Sequence, residues 1–329
     1  MFEGFARQWT PVLPLRRIGS RPQRVAVAGE QLVVWRVAAH RVGVLLDRCP
    51  HRSVSLALGS RTTDGDIQCA FHGWRFDASG SCTRIPFNPD LTAGHGRDRR
   101  GATALPHREL GGLLWVFTGF DPDTEPQLPE TLLDESLIRF THTETWDAHW
   151  TRAMENMLDY PHLPYVHRNT IGRFVRAKQT PDSQLHQEIR DTGFGYDLVP
   201  WLDENDPGAT LKWYAPNSMV LDTLPAPRMM RIQVYCIPAE TDRVRMLLIT
   251  TRNFARNPAA SLAFNRFNTL VLHQDRAVVE SSDPVVVPRG AVETSVPTDR
   301  ATLRFRSWFN RELRDSEVAD PRAQRPAER

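Results

Sequence analysis

Lysine is almost absent: of 41 basic residues in a chain of 329, only Lys178 and Lys212 are lysines. With 39 acidic residues the net charge is only +2, which argues against a protein built chiefly to neutralise nucleic-acid phosphates. The lysine shortage itself reads as the coding bias of a GC-rich genome. Cysteine is scarce as well. Cys49, Cys69, Cys82 and Cys236 are too few to form a disulfide framework at this length. No apolar run approaches the ~20 residues that cross a bilayer. The start of the chain carries Glu3, Arg7 and Gln8 where a signal peptide would be continuously apolar, so a cytoplasmic location is expected. A Gly-x-Gly-x-x-Gly dinucleotide fingerprint is also missing.

What is present suffices for a folded protein. Apolar side chains make up 40 % of the chain, enough to bury a sizeable core and to exclude wholesale disorder. Short β-branched and apolar runs at Arg24–Ala28, Gln31–Arg36, Val42–Asp47, Asp66–Cys69, Trp74–Asp77 and Gly112–Thr118 are separated by Gly, Pro, Asp and Ser. That spacing predicts a small antiparallel β domain over residues 1–120, with its core at about 24–118. The proline-containing stretch 121–130 predicts a linker. Residues 131–315 mix helical periodicity at Trp150–Leu158, Ala259–Glu280 and Asp299–Asp315 with strand-like segments from about Gly195 to Thr251, which predicts an α+β domain. The charged tail 316–329 predicts disorder. The fold class expected is therefore α+β, an all-β domain followed by an antiparallel sheet with flanking helices.

Two short motifs carry the strongest chemical signal. Cys49-Pro50-His51 and Cys69-Ala70-Phe71-His72 each offer one thiolate and one imidazole, with seventeen residues between His51 and Cys69. Two Cys and two His suit a tetrahedral zinc ion. They also suit a [2Fe–2S] centre in which two His replace two Cys on one iron. Zinc fingers usually pair Cys with Cys and His with His. The flanks CPHRSVSL and CAFHGWRFD, with Pro50, Gly73 and Trp74, resemble the two cluster-binding loops of Rieske proteins.

A second constellation lies at Asn156-x-x-Asp159-x-x-His162-x-x-x-x-His167. Asp159 and His162 fall roughly 60° apart on a helix, whereas His162 and His167 would point roughly 140° apart without a break. Pro161 and Pro164 supply that break. Two His with one carboxylate and open positions is the arrangement of non-haem Fe(II) oxygenases. The pattern resembles the mononuclear-iron segment of the Rieske non-haem iron ring-hydroxylating oxygenases and demethylases, and the likeness covers nearly the whole chain in the usual domain order. Periodicity nominates the carboxylate: Phe264, Phe267, Val271 and Val278 form an apolar stripe on which Asp275 falls, and a buried carboxylate there calls for a partner or a metal. Arg266 is an alternative partner, and Glu280 and Asp283 are weaker ligand candidates.

The resemblance implies more. It implies one [2Fe–2S] cluster on Cys49, His51, Cys69 and His72, and one mononuclear iron on His162, His167 and Asp275. It gives Asp159 the task of linking His162 to His72 of a neighbouring chain in a trimeric ring, with Asn156 in support. It implies oxygenation of a small organic substrate with O2, fed by a separate reductase and, in some systems, a ferredoxin. An electron-transfer or redox-sensing Rieske protein is the rival reading. Two departures stand out. Ser53 occupies a position where many relatives have Gly. Phe71 stands where many have Tyr, so a donor to sulfur is lost and a low-end Rieske potential is expected. Trp213, Tyr214, Met219, Leu221, Met230, Ile232 and Val234 read as a sheet face, part of which lines the substrate pocket in the family. Cys82 and Cys236 read as packing residues, and His95, His107, His142, His149 and His186 as surface or loop residues.

Overall fold

The protein is described by a computed structural model covering residues 1–91, 100–205, 208–224, 227–290 and 292–315. The described residues divide into two compact units, Met1–Pro126 and Gln127–Asp315. His95 and the tail 316–329 lie outside the described residues.

The first unit contains strands β1 (Trp9–Pro14), β2 (Gln23–Val27), β3 (Glu30–Ala38), β4 (Arg41–Leu46), β5 (Ser60–Arg61), β6 (Ile67–Gln68), β7 (Arg75–Phe76), β8 (Cys82–Arg84), β9 (His107–Leu110) and β10 (Leu113–Phe117). They form three antiparallel sheets in the orders β1-β10-β9, β2-β3-β4 and β5-β6-β7-β8. Val33, Trp35, Val37, Leu45, Ile67 and Phe76 fill one core cluster, and Cys49 and Cys69 belong to it. Both cysteines are therefore fixed by packing before any ligand is considered. The strand β1 starts ahead of the core expected from sequence. Pro11 and Pro14 disguise it, and they are tolerated because β1 is the edge of its sheet.

The second unit is a seven-stranded antiparallel sheet built from β11 (Ile138–Trp146), β12 (Leu185–Thr192), β13 (Gly195–Leu202), β14 (Leu211–Tyr214), β15 (Ser218–Leu224), β16 (Met230–Glu240) and β17 (Arg243–Arg252). The order is β11-β17-β16-β15-β14-β13-β12. Register places His142, Leu248, Val234, Met219, Trp213 and Tyr196 in one row across the sheet, all on one face. Helices α1 (Trp150–Met157), α2 (Leu163–Val166), α3 (Arg173–Lys178), α4 (Pro258–Val279) and α5 (Arg300–Phe309) complete the unit. The row's face is covered by helix: Asn268 on α4 donates to Thr250 Oγ1, Tyr196 donates to the Ala301 carbonyl on α5, and Trp213 packs edge-on against Phe305. Leu221, Met230 and Ile232 share it, whereas Tyr214 points to the opposite face. Trp150 meets Phe305 and Phe309 at 5.8 and 5.4 Å, and Glu155 accepts from Arg306 at 2.7 and 3.0 Å, so α1 is tied to α5 by both packing and charge.

The stripe expected on α4 is rotated by about one residue. Asn268, Leu272, Asp275 and Val279 are its buried positions, while Phe267 and Val278 are 40 % and 49 % exposed. Asp275 is on the buried face, but Leu272 and Val279 flank it rather than Phe267 and Val278. Among the described residues no helix is long and apolar enough to cross a membrane.

Candidate functional site

In the first unit, the two Cys/His loops are copies of one backbone design. In the loop after β4, Cys49 donates its N–H to the Val54 carbonyl and Ser53 donates back to Cys49, both at 2.8 Å. In the loop between β6 and β7, Cys69 donates to Trp74 at 2.8 Å and Gly73 donates back to Cys69 at 3.1 Å. The fourth residue after each cysteine takes a left-handed conformation, with φ 55° at Ser53 and 70° at Gly73. Glycine adopts it freely, whereas serine pays for its Cβ. The side chain of Asp47 braces the first loop, accepting from Arg24 Nε, Ser55 Oγ and Ala57 N.

The loops bring their side chains together. The His51 and His72 ring centroids lie 4.6 Å apart, and Trp74 stacks on His51 at 4.7 Å. Cys49 and Cys69 are both buried and free of disulfides. Burial is the main reason the Cys49 thiol is pushed up to about 11; nearby Cys69 adds to it, while the His51 and Arg52 backbone N–H groups oppose it. A thiol so placed is protonated unless a metal takes the proton's place. His51 Nδ1 is buried without a hydrogen-bond partner, which is costly unless something else binds there. Phe71 is 60 % exposed, with its ring 3.9 Å from that of His72.

In the second unit, the chain breaks where the prolines stand. α1 ends at Met157 and α2 begins at Leu163, so His162 precedes the short helix and His167 follows it. The rings end with centroids 5.1 Å apart. From α4, Asp275 reaches between them: its Oδ1 lies 3.0 Å from His167 Nε2 and 3.5 Å from His162 Nε2. The outward ring nitrogens are already engaged. His162 Nδ1 donates to Asp159 Oδ2 at 3.0 Å, and His167 Nδ1 donates to Gln274 Oε1 at 2.9 Å. With their protons on Nδ1, both histidines turn bare Nε2 lone pairs toward Asp275 Oδ1, an oxygen that is buried and accepts no hydrogen bond. Three lone pairs converging in a buried pocket require a cation.

A proton can be that cation. Burial disfavours the His162 imidazolium, but Asp159 and Asp275 outweigh burial and raise its pKa to about 9. Burial likewise raises Asp275, and the two histidines more than reverse this, lowering it overall. A metal ion competes with the proton for the same lone pairs.

The supporting residues are equally specific. Asp159 Oδ2 also accepts from the His162 N–H at 2.9 Å, while its side chain stays 23 % exposed. Together with Asn156 it lines a cavity of about 270 Å³ that Arg152, Glu293 and Arg306 also border. Asn156 Nδ2 is buried without a partner. Sequence reasoning missed Gln274 and Thr170: Thr170 Oγ1 donates to Gln274 Oε1 at 2.8 Å, which orients the amide oxygen toward His167. The neighbour of a nominated ligand was the one available clue.

Other sequence candidates sit elsewhere. Glu280 accepts from Asp147 N and Arg276 Nε, and neither it nor Asp283 joins the His162–His167–Asp275 group. Arg266 is exposed and pairs with no carboxylate among the described residues. His149, read as a surface or loop residue, is instead buried at the start of α1, where its Nδ1 accepts from Thr151 N at 3.3 Å. His142, read the same way, stands on β11 beside Glu144. Cys236 is fully buried, as a packing residue should be.

Comparison with known proteins assigns the two units. Residues 8–94 match the Rieske [2Fe-2S] domain, and residues 146–315, more than half of the chain, match the vanillate O-demethylase oxygenase C-terminal domain. The chain belongs to the Rieske oxygenase family. Its order of an N-terminal β-rich Rieske domain and a C-terminal antiparallel sheet with helices is the expected one.

Among curated Rieske oxygenases, the 5,5'-dehydrodivanillate O-demethylase oxygenase subunit of Sphingobium sp. is 32 % identical over 232 residues, covering 67 % of this chain and 53 % of that protein. This chain therefore matches about half of that relative's length. Methylxanthine N1-demethylase NdmA of Pseudomonas putida is 27 % identical over 318 residues, 93 % of this chain and 86 % of the relative. The solved structure of Pseudomonas putida CBB5 NdmA shares the fold with a TM-score of 0.77 at 24 % identity, over 96 % of this chain and 93 % of its own. Dicamba monooxygenase bound to dicamba gives 0.79 at 19 % identity, over 95 % and 98 %. The cofactors of a Rieske oxygenase are a [2Fe–2S] cluster and a mononuclear iron, and the residues present fit both. Orphaned His51 Nδ1 beside two thiols suits the cluster, and the orphaned Asp275 Oδ1 between two imidazoles suits the iron.

Proposed function

We propose that this chain is the oxygenase component of a Rieske oxygenase system that hydroxylates or demethylates a small organic substrate, using O2 and electrons from another protein. The observation that carries the reading is the convergence of His162 Nε2, His167 Nε2 and Asp275 Oδ1 on one point. Residues 1–120 would form the Rieske domain, 121–130 the linker and 131–315 the catalytic domain. Cys49, His51, Cys69 and His72 would hold the cluster; His162, His167 and Asp275 would hold the iron. Iron held by such a facial set supplies open positions for O2 beside the substrate.

Asp159 holds His162 by its ring nitrogen and keeps part of its carboxylate exposed, which leaves room to accept from His72 of a neighbouring chain. A cluster-to-iron contact between chains is heterologous and must close into a ring, and a homotrimer is the closure proposed. Asn156 would steady this segment. A separate reductase, with or without a ferredoxin, is required because Cys82 and Cys236 cannot supply the four thiolates of a second plant-type centre. Unpaired cysteines agree with a reducing, cytoplasmic location. No nucleic acid or membrane enters the proposal.

The rival reading, a Rieske electron carrier, leaves the C-terminal oxygenase domain and its buried pocket without use. Relatives named as O- and N-demethylases make a methoxy or N-methyl group the first substrate class to try. With a reductase supplied, such substrates should yield formaldehyde. His162→Ala should abolish it while the Rieske absorption persists. Equal turnover by His162→Ala would refute the proposal.

A further inference from the structure

A second group of metal-type donors sits outside the iron pocket. On edge strand β11, His142 and Glu144 are two residues apart and so share a face; His273 comes down on them from α4. Glu144 Oε2 lies 2.7 Å from His142 Nε2 and 2.8 Å from His273 Nε2, and the three donor atoms lie within 4.8 Å of one another. The other carboxylate oxygen, Oε1, is pinned by the indole N–H of Trp146 at 2.5 Å, which aims Oε2 at the two imidazoles. Glu144 is 11 % exposed, whereas His273 is 51 % exposed, so the group is rigid on one side and open to solvent on the other. A cavity of about 340 Å³ between β11 and α4, lined by Phe140, Asn265, Thr269 and His273, gives access.

We propose that His142, Glu144 and His273 form a second, surface-accessible site for a borderline divalent ion such as Zn²⁺, separate from the catalytic iron. Two imidazole nitrogens and one carboxylate oxygen on two rigid elements are a zinc-type donor set with open positions left for water. Each imidazole binds through Nε2 once its proton is carried on Nδ1, and neither Nδ1 has a partner among the described residues that would forbid the change. No electron moves: two N–H···O bonds are exchanged for metal–ligand bonds. The donors now stand at hydrogen-bond spacing and would spread slightly to admit the ion. His273 and Asp275 stand two residues apart on α4, so an ion bound here would staple the helix that carries Asp275 to β11.

The test uses the iron-loaded full-length protein, equilibrated with excess Zn²⁺, desalted, and analysed for zinc and iron. The wild type should retain about one additional zinc per chain with its iron content unchanged. Glu144→Gln and His273→Ala should each cut the retained zinc at least tenfold while keeping iron and the Rieske spectrum. Asp275→Ala should still retain zinc. Zinc should raise the melting temperature of the wild type and not that of Glu144→Gln. Zinc retention that is unchanged in Glu144→Gln, that appears only as iron is lost, or that is absent from the wild type would overturn the proposal.

Discussion

The two metal-binding regions solve one problem in opposite ways. The Rieske loops are local: each is a few residues long, repeats the same pair of hydrogen bonds, and holds its thiol in a core while its imidazole reaches outward. The proposed iron pocket is assembled from distant parts: His162 and His167 flank a broken helix, and Asp275 arrives from far along the sequence on α4. One site is written in the backbone and turns its histidines outward, where on the proposed function electrons would enter. The other is written in side-chain packing and buries its donors, where on the proposed function an oxidant would be shielded from water. Damage should follow suit. A change in the loops should alter a local conformation or a potential, whereas a change around the pocket should alter metal affinity or the coupling between sites.

The largest effect expected is at the exposed edge of the buried site. Asp159→Asn should retain cluster and iron yet lower turnover by at least about 100-fold, because imidazole orientation depends on the carboxylate and so would the proposed bridge to a neighbouring chain. Normal turnover in that variant would detach the two regions functionally.

Next comes acid. The main cause of His149's lowered pKa, about 4, is burial, with Arg314 and Arg152 adding to it. The unfolded chain takes up this proton below pH ~6.5, before the folded chain does, so stability falls between pH 6.5 and 4 by about 3 kcal/mol at most. His149→Asn preserves an acceptor at the start of α1 and should flatten this limb in thermal melts recorded from pH 7 to 4. An unchanged slope would show that other groups govern acid unfolding.

Gln274→Leu should weaken iron binding about 10- to 100-fold by releasing His167 Nδ1, with the Rieske spectrum untouched. Iron competition with a chelator reads this directly, and wild-type affinity would exclude the role. The smallest effect belongs to the local site. Ser53→Gly should stabilise the first unit by about 1 kcal/mol by relieving a left-handed serine, seen as a higher denaturant midpoint.

The same contrast explains what could be read in advance. The two Cys/His loops were legible because their candidate ligands and turns are contiguous in sequence. Asp275 was legible by burial, although the face of α4 was misplaced by about one residue: a helix covered on one side only leaves Phe267 and Leu270 exposed. Strands β11 and β12 escaped notice because both are sheet edges with polar alternation, Thr-His-Thr-Glu in β11 and His-Gln-Glu in β12. Gln274 and the capping role of His149 are three-dimensional facts with no periodic signature.

The most direct test of the account is an iron and acid-labile sulfide count on wild type, Cys69→Ser and Asp275→Ala. Wild type should hold three irons and two sulfides per chain, on the order set by one [2Fe–2S] cluster plus one iron. Asp275→Ala should hold about two of each with the red-brown colour kept and turnover gone; Cys69→Ser should lose the sulfide and the colour. Stoichiometric zinc without sulfide in the wild type, or a third iron kept in an active Asp275→Ala, would contradict the assignment of the two regions.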